Sequence, residues 1–289
     1  MTIGPGRRAR LCPIALIAIA IAWVVVVRAD QSAAPSGYAL VWSDEFGGDG
    51  PPDAKNWTYE HGFVRNDELQ WYQPANVTRR EGQLVIEARR ERVKNPEFVA
   101  GSQSWQTNRE YAEYTSSSVT TNKLQQWEYG RFEIRGRIDT RLGMWPAFWT
   151  LGVDGEWPDG GEIDIMEFYR GILLANVAWG SNRRWVATWD ASRHPVRSFP
   201  DRNWASSYHV WRMDWDARAI DLYVDDRRMN HTDIASLRNP RTGTNPFHAP
   251  HYFLISLAIG GWNGGDPAAT QFPARLEVDY VRVYQARAH

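Results

Sequence analysis

Trp157-Pro-Asp-Gly-Gly-Glu162-Ile-Asp164-Ile-Met-Glu167 decides the reading of this 289-residue chain, because it sets three carboxylates on one β-strand. Successive strand side chains point to opposite faces, so Glu162 and Asp164 share a face while Ile163 and Ile165 point into a core. Glu167 breaks that alternation. A strict period of two would turn it inward, so either it is paired inside or one extra residue near Ile165-Met166 forms a bulge. The bulge is the better reading, since it hides Met166 and returns Glu167 to the face of the other two acids. Three like charges this close raise one another's pKa, which no sequence needs merely for folding.

Spacing limits what such a row can do. Same-face neighbours along a strand stand about 6.5–7 Å apart at the backbone, and side chains can lean inward from there. Carboxyl groups about 5–5.5 Å apart suit a retaining glycosidase, in which one attacks the sugar carbon and the other protonates the leaving oxygen. Asp164 between them can hold a proton or hydrogen-bond the nucleophile, keeping Glu162 ionised and Glu167 protonated. A calcium site and a solvated strand face are the alternatives that the row alone leaves open.

Tryptophan is the second signal. Sixteen Trp are more than a core of this size requires, and Trp127, Trp145, Trp149, Trp157, Trp179 and Trp185 cluster near the acids in this reading. Indole faces stack on flat or CH-rich partners such as sugar rings. In Gly143-Met-Trp145-Pro-Ala-Phe-Trp149, alternation sets Trp145, Ala147 and Trp149 on one face and Phe148 on the other, so one face is core and the other is available to a ligand. Core packing is the competing reading for each single Trp.

Composition narrows the class. A formal charge of −1 gives no field that would gather nucleic acid. Cys12 is the one cysteine, in the N-terminal segment, so the mature domain has neither a disulfide nor a thiol nucleophile. Arg7, Arg8 and Arg10 precede an apolar run, and Val27-Arg-Ala29 offers small residues for cleavage. Residues 1–29 therefore read as a signal peptide, with an uncleaved signal anchor as the rival. Residues 30–37 read as a flexible linker and residues 38–286 as one large sandwich domain without internal repeats. Alternating runs at residues 83–88, 129–138 and 219–224 predict strands, and residues 91–118 a long polar surface loop. Residues 250–259 predict a strand running into the turn Gly260-Gly-Trp262-Asn-Gly-Gly, where Trp262 is either a cleft-rim residue or turn packing. His248-Ala-Pro-His251 is a poor metal site, because Pro250 breaks any helix that could align the two imidazoles.

Glu162-Ile-Asp-Ile-Met-Glu167, preceded by Trp145-Pro-Ala-Phe-Trp149 and Trp157-Pro, resembles the active-site signature of glycoside hydrolase family 16, the laminarinase and lichenase clan. Leu40-Val-Trp-Ser-Asp-Glu-Phe46, Asn66-Asp-Glu-Leu-Gln-Trp-Tyr72, Gly82-Gln-Leu-Val-Ile-Glu-Ala88 and Tyr129-Gly-Arg-Phe-Glu-Ile-Arg135 are similar to its earlier strands. His209-Val-Trp-Arg-Met-Asp-Trp215, Ile220-Asp-Leu-Tyr-Val-Asp225 and Val278-Asp-Tyr-Val-Arg-Val-Tyr284 match its closing strands. The resemblance implies an all-β fold, a β-jelly-roll sandwich of two antiparallel sheets with a concave substrate cleft. It implies Glu162 as nucleophile, Asp164 as its helper and Glu167 as acid/base, with Asn66 in a donor-side sugar subsite. Trp145, Trp149, Trp157, Asn176 and Trp262 join it as substrate-binding candidates. Glu133 and Arg135 alternate with Phe132 and Ile134 and are expected in the cleft, with an exposed cross-strand ion pair as the alternative. A structural calcium is implied on Glu45, the Gly82 carbonyl and Asp279, but no cofactor for catalysis.

One departure stands out. Many laminarinase-like members carry a His on the strand after the acids, and here Ala178 occupies the matching place, so a sugar contact is missing. Residues 181–203 read as a long basic loop with Arg183, Arg184, Arg193, Arg197 and Arg202. Such a loop is either simply solvated or suited to an anionic polysaccharide. The expectation is a secreted retaining endo-glycosidase, periplasmic or cell-surface in location, acting as a monomer on β-1,3- or β-1,3-1,4-glucan. It has a polysaccharide partner, no nucleic acid and no stable membrane contact once the signal is cleaved. The alternatives are a hydrolase of a red-algal galactan (agarose, porphyran or carrageenan) and a non-catalytic carbohydrate-binding jelly roll.

Overall fold

A computed structural model of the protein describes residues 1, 2, 4, 34–201 and 203–287. The chain divides into two units, Met1–Ala33 and Ala34–His289, and every strand named below belongs to the second. Among the described residues no helix is long and apolar enough to cross a membrane. The run read as an export signal lies outside them.

Among the described residues fifteen strands build two sheets. They are β1 (Tyr38–Asp44), β2 (Thr58–Tyr59), β3 (Val77–Arg80), β4 (Gln83–Ala88), β5 (Ser118–Thr120), β6 (Gly130–Arg137), β7 (Met144–Gly152) and β8 (Glu162–Tyr169). After these come β9 (Ile172–Gly180), β10 (Ala187–Pro195), β11 (His209–Trp215), β12 (Ala219–Val224), β13 (Arg227–Asp233), β14 (His251–Ile259) and β15 (Ala274–Ala286). The outer sheet runs β13-β12-β11-β6-β15-β4-β3, with β1 also paired to β15. The inner sheet runs β10-β9-β8-β7-β14-β5-β2. All of these pairings are antiparallel. This is the two-sheet all-β sandwich that the resemblance implies.

Period-two patterning explains the outer sheet. Along β6 and β11 burial alternates strictly. Phe132, Ile134, Trp211, Met213 and Trp215 enter the core, and Arg131, Glu133, Arg135, Arg212 and Asp214 line the other face. The inner sheet supplies the opposing apolar layer through Phe148, Ile163, Ile165, Met166, Phe168, Val177, Phe253, Ile255 and Leu257. Phe148 meets Trp211 across the sandwich with ring centroids 6.3 Å apart. A Cβ on Gly136 would come within 3.0 Å of the Phe148 ring, so that position has no room for a larger residue.

The inner sheet's other face is also largely covered along β7 and β14. Ala147, Trp149 and Leu254 form a small second cluster there. The segment before β3 lies across that face: Leu69 N–H donates to Ile259 O at 2.9 Å, and Ile259 N–H donates to the Gln70 side chain at 2.7 Å. Two loop expectations need correcting. Residues 91–118 contain short strands at Val93–Lys94, Tyr111–Ala112 and Tyr114–Ser116. Thr115, Ser116 and Ser117 are fully buried. The Thr115 hydroxyl accepts from Asn76 Nδ2 at 2.9 Å and donates to Glu91 at 2.6 Å, whereas the Ser116 and Ser117 hydroxyls have no partner among the described residues, small side chains being cheap enough to enclose. Residues 181–203 are not one loop either, since β10 occupies their middle and pairs with all of β9.

Phe148→Ala should cost about 3–5 kcal/mol, as truncation of a fully buried aromatic does. Urea unfolding followed by tryptophan fluorescence should therefore show a lowered midpoint.

Candidate active site

The acids lie on β8, and the expected bulge is present. On one side Met166 faces Phe148 and Asp164 faces Trp149, which leaves Ile165 as the extra residue. On the other side Asp164 faces Asn176 and Glu167 faces Leu174, again with two residues opposite one. Ile165 and Met166 both enter the core, at 1% and 0% exposure. Glu162, Asp164 and Glu167 consequently share the face turned away from the core.

Each acid has its own donors. Trp157 Nε1–H donates to Glu162 Oε2 at 2.6 Å. Trp145 Nε1–H donates to Glu167 Oε1 at 2.7 Å. The buried Asn176, directly across the ladder from Asp164, donates to Asp164 Oδ2 at 3.0 Å and to Glu167 Oε2 at 3.1 Å. Asn176 thus ties two acids together, and its Oδ1 has no donor among the described residues, which leaves an acceptor for a hydroxyl.

Burial dominates the electrostatics. It pushes the Glu167 carboxyl up to about 8, with the Asp164 charge adding to the rise and the bonds from Trp145 and Asn176 opposing it. Asp164 is raised by burial to about 6, against the bonds from Asn176 and Glu162. Burial also carries Glu162 well above the usual carboxylate range, with Asp164 beside it and Trp157 pulling the other way. At neutral pH Glu167 therefore keeps its proton, while Glu162 and Asp164 are close enough that each moves the other's titration, Glu162 upward and Asp164 downward. One group able to give a proton stands beside a pair able to supply a carboxylate.

The tryptophans sort by face. Trp145 and Trp149 lie on the acid face, as alternation predicts, and Trp149 Nε1–H donates to Ser256 at 3.2 Å. The Arg65 guanidinium sits 4.9 Å over the Trp149 ring and pairs with Glu60. Trp157 is 40% exposed and Trp262 69%. Trp262 belongs to the short helix Gly261–Gly264, and its N–H donates to Asn66 O at 3.0 Å. That approach requires Gly261, whose φ is 62° and where a Cβ would fall 2.7 Å from Asn66 O. Asn66 is itself left-handed, and its side chain reaches Glu68 at 3.5 Å. Trp127 and Trp179 are corrections, because both pack on the sandwich core rather than around the acids.

Glu133 and Arg135 are also corrected. They lie on the outer face of the outer sheet, with the core between them and the acids. Glu133 is flanked by Arg212 and Arg282 on the neighbouring strands, and Arg135 pairs with Asp279 at 2.8 Å, which is the cross-strand ion-pair alternative. For the calcium residues, β15 leaves β4 after Val278 and joins β1 from Val281, so the ends holding Glu45 and Gly82 converge near Asp279. There the Glu45 carboxylate is gripped by Arg282 at 2.8 Å through two nitrogens, and the Asp279 carboxylate is taken by Arg135. Among the described residues no group of three or more His, Cys, Asp or Glu is arranged to hold a metal ion.

Sequence reading missed the support of the Trp157 loop. Gly180 N–H donates to the buried Asn239 Oδ1 at 2.8 Å, Asn239 Nδ2 donates to Asp159 O at 2.8 Å, and Arg241 pairs with the Asp159 carboxylate. Asn239 stands far from the motif in sequence, and nothing local marks it. Of the basic stretch, Arg184 already holds Glu156 through two bonds of 2.7 and 2.9 Å, and Arg202 lies outside the described residues.

A sandwich that carries a buried acid and a carboxylate pair on one exposed-face strand defines a carboxylate-based glycoside hydrolase. The comparisons agree. The model of the glycosyl hydrolases family 16 matches residues 66–282, and the chain belongs to that family. The β-glucanase of Rhodothermus marinus is 34% identical over 276 residues, covering 89% of this chain and 88% of that protein. A solved non-specific endo-β-1,3(4)-glucanase of the family is 35% identical, covers 89% of this chain and 95% of that one, and superposes with a TM-score of 0.71. A structure described among endo-acting O-glycanases with which human gut microbiota initiate mucin breakdown is 32% identical. It covers 89% of this chain and 94% of that one, with a TM-score of 0.80.

Removing Glu167's charge should stabilise the protein at high pH. Unfolded, this carboxyl ionises near 4.5, whereas folded it holds its proton to about 8. The folded state therefore loses stability relative to the unfolded as pH rises from 4.5 through 8. Calorimetry of Glu167→Gln should show a higher midpoint than wild type at pH 9, by about 2–4 °C per kcal/mol recovered, and near equality at pH 4.

Proposed function

We propose that this glycoside hydrolase is an exported, retaining endo-enzyme that cleaves β-1,3- or mixed-linkage β-1,3-1,4-glucan by double displacement. One observation carries the reading: Glu162 and Glu167 sit on one face with separate donors and Asp164 between them. Glu162 attacks the anomeric carbon while Glu167 passes its proton to the departing glycosidic oxygen. As Glu162 attacks, the proton the pair shares passes to Asp164, and the Trp157 N–H steadies the Glu162 carboxylate. In the second half, Glu167, now a base, takes a proton from water, and the water oxygen displaces Glu162 from the sugar. The glucanase relatives support the substrate class and the internal attack. The basic and apolar pattern of residues 7–27 supports export.

A second reading places a β-linked galactan or O-glycan in the same site. It is favoured by the higher TM-score with the O-glycanase, 0.80 against 0.71 for the glucanase, and by Ala178 across the ladder from Glu162. Structural calcium on Glu45, the Gly82 carbonyl and Asp279 is a further proposal, supported by the convergence of β1, β4 and β15. The cation would compete there with Arg282 and Arg135 for the two carboxylates.

Glu162→Gln should abolish product release from laminarin, lichenan, agarose, porphyran, carrageenan and mucin glycans alike. Glu167→Ala should slow the cleaved polysaccharide by roughly 100-fold or more, yet leave an aryl glycoside with an activated leaving group far less affected. Equal losses on both would remove Glu167 from the acid role, and cleavage of a galactan or mucin glycan alone would select the second reading. For calcium, melting in excess Ca²⁺ and in EGTA is expected to differ in midpoint, whereas identical curves would discard the site.

A further inference from the structure

The ladder carries the catalytic face beyond the acids to the edge of the inner sheet. Glu162 pairs with Ala178 on β9, and Ala178 pairs with Trp189 on β10. Directly paired residues point to the same side of a sheet, so Trp189 shares the face of Glu162. Strand spacing puts the two positions about 10 Å apart across the sheet, a separation of the order of a disaccharide. The residue between them is fully buried and adds only a methyl group.

Trp189 is bare. It is 46% exposed, and among the described residues no ring packs against it and its Nε1–H has no acceptor. The following residue, Asp190, faces the other way, where it accepts from the buried Thr232 hydroxyl at 2.9 Å, so the strand holds the orientation of its neighbour. Along the catalytic face of β10 the next residues are Ala191, which is small, and Arg193, whose guanidinium is drawn to Tyr169 OH at 3.5 Å. The indole is fixed on a strand, aligned with the nucleophile and open on its flat apolar face, which suits it to a CH-rich, ring-shaped partner.

We propose that Trp189 is a stacking platform for a pyranose ring of the polysaccharide, on the β9-β10 side of the acids. The proposal deepens the endo-glycosidase reading and rests on it. The indole face would cover the apolar face of a sugar bound one or two units from the reacting one. Long chains would therefore gain from it, and substrates too short to span the gap would not.

The test compares wild type, Trp189→Ala and Trp189→Phe on the polysaccharide that wild type cleaves and on a short aryl glycoside. Trp189→Ala should raise KM on the polysaccharide about tenfold, with kcat/KM on the aryl glycoside and the melting midpoint unchanged, and Trp189→Phe should recover most of the loss. In a Glu162→Gln background the same Trp189→Ala change should weaken retardation of the protein in gels laced with that polysaccharide. Unchanged KM and unchanged retardation would overturn the platform while leaving the function intact. Equal losses on both substrates would overturn it by assigning Trp189 to the shape of the reacting centre. Wild type that cleaves no β-linked polysaccharide would overturn the endo-glycosidase reading and the platform together.

Discussion

Three carboxyl groups buried on one strand cannot all carry charge, and the rest of the site depends on that constraint. Burial is the largest influence on each of Glu162, Asp164 and Glu167, and it acts in the same direction on all three. What distinguishes them is their hydrogen bonding. Trp157 serves one end of the row, Trp145 serves the other, and Asn176 bridges the middle acid to the last. These are fixed dipoles on rigid strands or on a pinned loop, so they need no reorganisation when charge moves between the acids during reaction. A bulge that sends two successive hydrophobic residues inward is what makes the row continuous.

Much of this was legible because period-two alternation is a local property. The inward turn of Ile165 and Met166, the shared face of Trp145, Ala147 and Trp149, and the limits of strands such as Ala219–Val224 all follow from it. Alternation has a defined limit, shown by Glu133 and Arg135. It assigns them correctly to the face opposite Phe132 and Ile134, but it cannot say to which sheet the strand belongs, and in a sandwich the two outward faces are on opposite sides of the core. Trp127 and Trp179 fail for a related reason, since closeness in sequence to the acids does not fix the side on which a residue points. Asn239 was beyond reach altogether. Its role exists only after a long chain return brings it against Gly180 and Asp159.

Long-range closure explains the remaining surprises. Residues 115–117 read as solvated because their composition is polar, yet backbone bonds from distant segments hold them inside: Arg89 N–H donates to Thr115 O, Gln73 N–H to Ser116 O and Leu257 N–H to Ser117 O. Segment 60–72 crosses the inner sheet and places Arg65 on Trp149, while Asn66 receives the Trp262 N–H. This explains why β7 and β14 are covered on both faces when a half-exposed strand would be expected. Loops here are structural members of the cleft.

The separation of the two faces has a practical side. Arg131, Arg135, Arg212, Asp214 and Asp279 form an ion-paired surface with the whole core between it and the acids. Attachment of the protein to a bead or a fusion partner through this surface would present the catalytic row outward, toward insoluble polymer. The molecule has in effect a back by which it can be held and a front that works, and the tethering chemistry would touch no residue that handles a sugar.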